Sequence, residues 1–448
     1  MTRFLRNNKY LILCILLIMF GFSVGFGGEQ AEATKLRIPE IVKLQRRVRT
    51  SAEDRRAYET YEKRNAEITP WNQEALPPNP DNAALLYYQA FLLRPEPNMA
   101  INDKIHDIFF DAEPDRQIKT YLGYCLPMIK MAEIASQIPQ CAWGIWNGPG
   151  PEFSEKDLRS QVNYLWTVLL LDARTLASEG HYRAALERCL TVRRLAKHLG
   201  EDIRLHLSVR NPDFMALRTI QHVLGIMPPD IDTLTWFRGE LTVSNGLPLS
   251  FAKMLRADVS VGMNHLRTYA PSLRYLKKVF TDMAENEQAK DKVRSLTDEQ
   301  FLSRINEELT HFVDSILRVL DSEMTFEQKR AQMQALIDKQ MKANGTNSVI
   351  KAIFLSGISL GIDRIDRQYP FLVGHQAHIN GIKAAVEVYL VLAKTGKLPE
   401  KLPDYLPKDP FTGRDFVYEI TDEGFALRCQ DEEFLKRKNQ FLEFKVQK

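Results

Sequence analysis

Apolar positions recur every three or four residues along most of this chain. Strand-like alternation is confined to its last tenth, so the pattern predicts a mainly α-helical protein. Helical stretches are expected over Ala83 to Leu93, Ile118 to Ile138, Asp157 to Ser178, Tyr182 to Leu199 and Asp213 to Leu224, separated by Gly, Pro or Asn. The clearest stripe is Leu158, Val162, Leu165, Leu169, Ala173 and Leu176, with Ser154 and Asp157 placed to cap its start. Gly180 ends it, and Tyr182, Ala185, Leu186, Cys189 and Ala196 begin the next stripe, which predicts an antiparallel helical hairpin. Further on, Thr297 with Gln300 and Thr325 with Gln328 form two capping boxes, each opening an amphipathic helix. The run Val349 to Leu360 is too short to span a bilayer and holds Lys351, so it reads as a buried core helix.

The two ends differ from this body. Arg3, Arg6 and Lys9 precede an apolar run from Tyr10 to Phe26, and Ala31, Glu32 and Ala33 follow. That three-part order predicts an export signal cleaved after Ala33, with a retained single membrane anchor as the alternative. Residues 34–81 then read as a charged stalk helix, from Ser51 to Ile68, and a Pro-rich linker. The helical body spans 82–378, built as an irregular stack of helical hairpins. Residues 379–448 hold a C-terminal helix, a Pro-rich segment and a small β-hairpin pairing Phe416 to Ile420 with Phe425 to Cys429. In that hairpin Phe416, Tyr418 and Ile420 are expected to share a face that covers the helix.

The turn around Gly180, Tyr182, Ala185 and Leu186 resembles that of a tetratricopeptide repeat, which implies two closely packed helices. No second copy follows at that period. A second resemblance covers the tail: Gly396, Leu398 and Pro399, then Leu406, Pro407, Asp409, Pro410, Phe411 and Gly413, then Phe416, Tyr418, Gly424 and Phe425. This order resembles exported helical proteins of planctomycete-type bacteria and, more distantly, the C-terminal part of the major pseudopilin of type II secretion. The N-terminal segment lacks the prepilin motif Gly-Phe-Thr-Leu-Ile-Glu, so pilus assembly is not implied. In either family Asp409, Pro410 and Gly413 would be turn formers.

Composition narrows the function. A net charge of +3 over 448 residues gives no global field to attract nucleic acid. Beyond the signal, Cys125, Cys141, Cys189 and Cys429 remain; outside the cytoplasm a Cys125–Cys141 disulfide is expected, with four ordinary buried thiols as the alternative. No nucleophile elbow, zinc-protease motif or phosphate loop is present, so no cofactor is expected. His375 and His378, three residues apart with Glu387 further along, form the best metal-like constellation, set against ordinary core or surface histidines. Asp363, Arg364, Asp366 and Arg367 read as a self-neutralised helix face. Trp143 and Trp146, among Gly144, Gly148, Pro149 and Gly150, form an aromatic loop that is either a ligand contact or packed on a neighbouring helix. The sequence thus reads as an envelope protein, periplasmic, secreted or held in the inner membrane. It would contact a protein partner, and the membrane through its N-terminal segment if uncleaved. An extracytoplasmic hydrolase is the rival class.

Overall fold

The computed structural model describes residues 51–66, 81–95, 113–144, 155–201, 210–243, 250–268, 270–342, 349–356, 365–430 and 442–446. The expected export signal, Trp146, Ser154, Asp363 and Arg364 lie outside them. Among the described residues fourteen helices and one three-stranded antiparallel sheet are present, and no helix is long and apolar enough to cross a membrane. The protein is mainly α-helical with a small C-terminal β module.

The first five helices are α1 (Ser51–Ala66), α2 (Ala83–Leu92), α3 (Arg116–Gln137), α4 (Glu155–Ser178) and α5 (Tyr182–Glu201). Helices α4 and α5 pack along their length as the expected hairpin. Its turn is a Schellman motif: Gly180 adopts φ 84°, His181 N donates to Leu176 O at 2.9 Å and Gly180 N donates to Ala177 O at 3.1 Å. The left-handed conformation explains why glycine stands there.

Helix α1 is where the stalk expectation fails. It lies against α3, with Ala57 and Tyr61 buried. Tyr124 donates to Asp54 at 2.8 Å, and Lys119 lies 2.6 Å from Glu179 and 3.6 Å from Glu62. Two apolar residues four apart are too short a stripe to stand out in a charged sequence. Gly123 of α3 makes the contact possible, because a Cβ there would collide with the Ala57 carbonyl. Glycine to alanine in a helix interior ordinarily stabilises by about 1 kcal/mol. Here Gly123→Ala should instead destabilise by about 1 to 3 kcal/mol, because backbone cannot yield as a flexible side chain can. Hydrogen exchange read over 51–66 checks this: α1 amides should exchange faster in the variant.

Next come α6 (Arg210–Ile226), α7 (Ile231–Val243), α8 (Phe251–Thr268), α9 (Ala270–Asp282), α10 (Glu287–Arg294), α11 (Asp298–Leu320), α12 (Phe326–Lys342) and α13 (Val349–Ser356). Both arms of the α11 capping box form, Gln300 N to Thr297 Oγ1 at 3.1 Å and Thr297 N to Gln300 Oε1 at 2.9 Å. The same reciprocal pair opens α12. Ile350, Ala352 and Ile353 of α13 are buried, as a core helix requires.

The longest of the described helices, α14 (Ile365–Thr395), crosses the boundary expected at 378/379. Pro370 falls inside it, past the first turn, so the carbonyl of residue 366 loses its usual backbone donor, and Gly374 is carried within the helix as well. Helix α14 packs on α6, α7 and α12.

The sheet has order β1 (Val417–Thr421), β2 (Gly424–Arg428), β3 (Leu442–Lys445). The turn is expected over Asp422 to Gly424; Ile420 faces Phe425 and Thr421 faces Gly424, so Asp422 and Glu423 make it and Gly424 already belongs to β2. The central strand β2 is buried, with Phe425, Ala426 and Leu427 all within the core. Ile420 departs from expectation: it lies on edge strand β1 and is 55% exposed, whereas Phe416 is buried and Tyr418 half-buried. Strand β3 seats on α6 and α14, where Gln221 Nε2 donates to Glu443 O at 3.1 Å and Tyr389 donates to Lys445 O. Asp409 is fully buried and accepts from Phe411 N at 3.0 Å, Thr412 Oγ1 at 2.9 Å and Gln430 N at 2.9 Å, tying the Pro-rich segment to the exit of β2. Phe416→Ala should therefore cost about 2 to 4 kcal/mol in denaturant unfolding, and Tyr418→Ala distinctly less. Equal costs would mean that the module is not packed as described.

Candidate functional site

Helix α5 turns two arginines inward. Arg188 Nε lies 2.8 Å from Asp172 of α4, and its guanidinium also bonds Glu133 of α3. One turn and a half later, Arg193 Nε donates to Asp213 Oδ1 of α6 at 2.8 Å. The other carboxylate oxygen of Asp213 lies 2.8 Å from His375 Nε2 of α14, close but off the line of an ideal hydrogen bond. Asp213 therefore joins three helices through one fully buried carboxylate.

The surroundings are apolar. Phe214 stands edge-on to both His375 and His378, and Phe371 stands edge-on to His375. Burial pushes the Asp213 carboxyl up, but the Arg193 charge and the His375 contact more than offset it and hold it below the usual range. Burial drives His378 the other way, down to about 3, with the nearby His375, Arg218 and Arg193 charges adding to the shift against the opposing Asp213. Its Nε2 has no hydrogen-bond partner among the described residues. Burial likewise lowers the Lys383 ammonium, aided by Arg193.

The three-residue spacing does bring His375 and His378 to the same neighbourhood, both buried. Glu387 does not join them; it accepts from Tyr405 at 3.2 Å and pairs with Arg238 at 3.6 Å. Among the described residues no group of three His, Cys, Asp or Glu is placed to hold a metal. The pair is better understood through its carboxylate: a buried aspartate that orients a histidine, as in general-base dyads, here shut inside the helical body.

Trp143 is a packing residue. It is 2% exposed, stacks on Tyr87 at 5.3 Å and donates from Nε1 to His198 O at 3.1 Å. It offers no open aromatic platform. The expected Cys125–Cys141 disulfide is not formed either: both are buried thiols, as are Cys189 and Cys429. Cys125 sits mid-helix beside Tyr121 and Tyr164, and Cys141 sits beside Tyr87 beyond the end of that helix. About 18 Å of α3 runs on past Cys125, whereas a disulfide needs Cα atoms within about 7 Å. Asp366 and Arg367 lie in the first turns of α14, and Ser356 ends α13 with its hydroxyl on Ile353 O at 2.8 Å.

The groups that sequence reasoning missed are Arg188, Arg193, Asp172 and Asp213. Asp172 carried a signal, since an acid inside the apolar run Leu169 to Ala177 has to find a buried partner. Compared with known protein families, curated proteins and solved structures, the chain matches none.

Proposed function

We propose that this protein is a helical scaffold of the cell envelope, exported or held there by its N-terminal segment, that acts by binding a protein partner through its hairpin surfaces. The observation that supports this reading is the placement of Asp213 between Arg193 and His375, fully buried. Charges bound to one another at that depth fix which helices meet and in what register, which is an architectural use of titratable groups. A rigid stack of hairpins is what a docking platform needs, since little ordering remains to be done on binding. The test has two parts. Protease added to intact spheroplasts should degrade the protein while sparing cytoplasmic controls. Cross-linking in native envelopes should then trap one partner at fixed stoichiometry. A full-length cytoplasmic product, or no partner at any stoichiometry, would end the proposal.

A second reading, an extracytoplasmic hydrolase, draws on the His375–Asp213 contact, the arrangement that orients a histidine base. The exposures of 2% and 0% mean that substrate would reach it only if α6 and α14 parted. His375→Gln separates the two. A scaffold turns over nothing and only loses stability, whereas an enzyme acts on at least one of a panel of ester, amide and glycoside substrates before the substitution and loses that turnover after it.

A further inference from the structure

We propose that the cavity between α4, α6 and β3 is a binding site for a small molecule bearing a phosphate group. The cavity measures about 240 Å³. Arg174 of α4, Arg218 and His222 of α6 and Lys445 of β3 line it, and among the described residues Glu443 is the one carboxylate that joins them. Such a concentration is not a property of the whole chain, whose net charge is only +3. It is produced by the fold, which draws cations from three elements far apart in sequence to one void.

The local geometry explains how. On α6 the positions 215, 218, 219, 222, 225 and 226 recur at helical spacing and form one face, and this face is the cavity floor. Strand β3 passes close over this face, since a Cβ at Gly225 would stand in ordinary contact with Lys445 N at 3.8 Å. The hydrogen bonds from Gln221 to Glu443 O and from Tyr389 to Lys445 O hold β3 in place, so the wall that carries Lys445 is fixed before any ligand arrives. Arg174 is 7% exposed, so its charge acts in a medium poorer in water than the surface. Lys445 also pairs with Glu423 at 3.0 Å, but both side chains are 72% exposed and such a pair is weak.

The chemistry of the lining selects the ligand class. A carboxylate is planar and is satisfied by one guanidinium fork. A phosphate presents oxygens in tetrahedral directions and carries up to two charges, which suits two guanidiniums and an ammonium approaching from different sides. The same group could come from a soluble phosphate ester or from a lipid headgroup.

Calorimetric titration of the full chain decides the matter, with inorganic phosphate, glycerol 3-phosphate and vesicles of phosphatidate in phosphatidylcholine as probes. Saturable binding to a single site is expected, weakened about tenfold by Arg218→Gln or by Lys445→Gln, each removing one charge-assisted contact. The unfolding midpoint should not move, since Arg218 is exposed, and Lys278→Gln on α9 should leave the affinity unchanged. Binding of soluble glycerol 3-phosphate assigns a free ester as the source, and binding only to phosphatidate vesicles assigns a headgroup. No saturable binding of any probe, an affinity in both cavity variants unchanged from that of the unaltered protein, or equal binding of acetate would overturn the proposal. The scaffold reading would be untouched by that failure, because it is read by cross-linking.

Discussion

Asp213→Asn should lower the stability of the folded protein by about 3 to 5 kcal/mol, the range seen when one member of a buried charge pair is removed. The amide keeps the shape of the side chain but not its charge, so Arg193, 4% exposed, loses the carboxylate it is paired with. His375 loses the oxygen that it faces. The cost is dominated by those stranded groups rather than by the value of the intact pair. That distinction yields a second arm: combining Arg193→Met with Asp213→Leu should recover part of the loss, because the buried guanidinium is gone and only His375 is left facing a side chain without an oxygen. Urea unfolding measures both. A loss below about 1 kcal/mol in Asp213→Asn would mean that the network is not buried as described.

The second large effect is on acid stability. His378 is held neutral by burial, its proton affinity pushed from the ordinary 6.5 down to about 3, and His198 is pushed in the same way down to about 4. Below pH 6.5 the unfolded chain takes up protons that the folded chain refuses, so stability is full above that value and falls as the pH drops toward 3. Each unit of pH between those limits removes about 1.4 kcal/mol per histidine. From pH 6.5 to 4.5 the two together should remove about 5 kcal/mol. Asp213 acts in the same direction. Its carboxyl is held low in the folded state, so its contribution is lost as pH falls through that lowered value. Unfolding free energies at pH 7 and 4.5 give the slope, and His378→Gln should roughly halve it. A flat profile would show that neither ring is shut from water.

Much of the scaffold could be read from apolar spacing and caps. The α4–α5 hairpin, the two capping boxes and the β1–β2 turn were legible because each depends on residues within a few positions of one another, Gly180 for the first and Thr297 with Gln300 for the second. The interior charge network was not. Arg193 and Asp213 are 20 residues apart, and His375 is far beyond both. Charged residues at such separations look like solvated surface until the fold juxtaposes them. Helix α1 escaped for the opposite reason, since among its described side chains only Ala57 and Tyr61 are buried and two residues make no periodicity. Trp143 was legible as an aromatic in a glycine-rich stretch, but whether it faces water depended on Tyr87 and His198, neither of which is near in sequence.

Strand β3 closes a long circuit. Gln221 and Glu443, which bond across the α6–β3 contact, are separated by 222 positions. The entropy lost in closing a loop rises only with the logarithm of its length, but it must be met before the contact returns anything. The helical hairpins, whose partners lie close by, can form early, and β3 can add only to an assembled surface of α6 and α14. The positively charged cavity that it walls therefore exists only in the finished protein. No partly folded form can hold a ligand there, and any ligand that does bind favours completion of the fold over every state that precedes it.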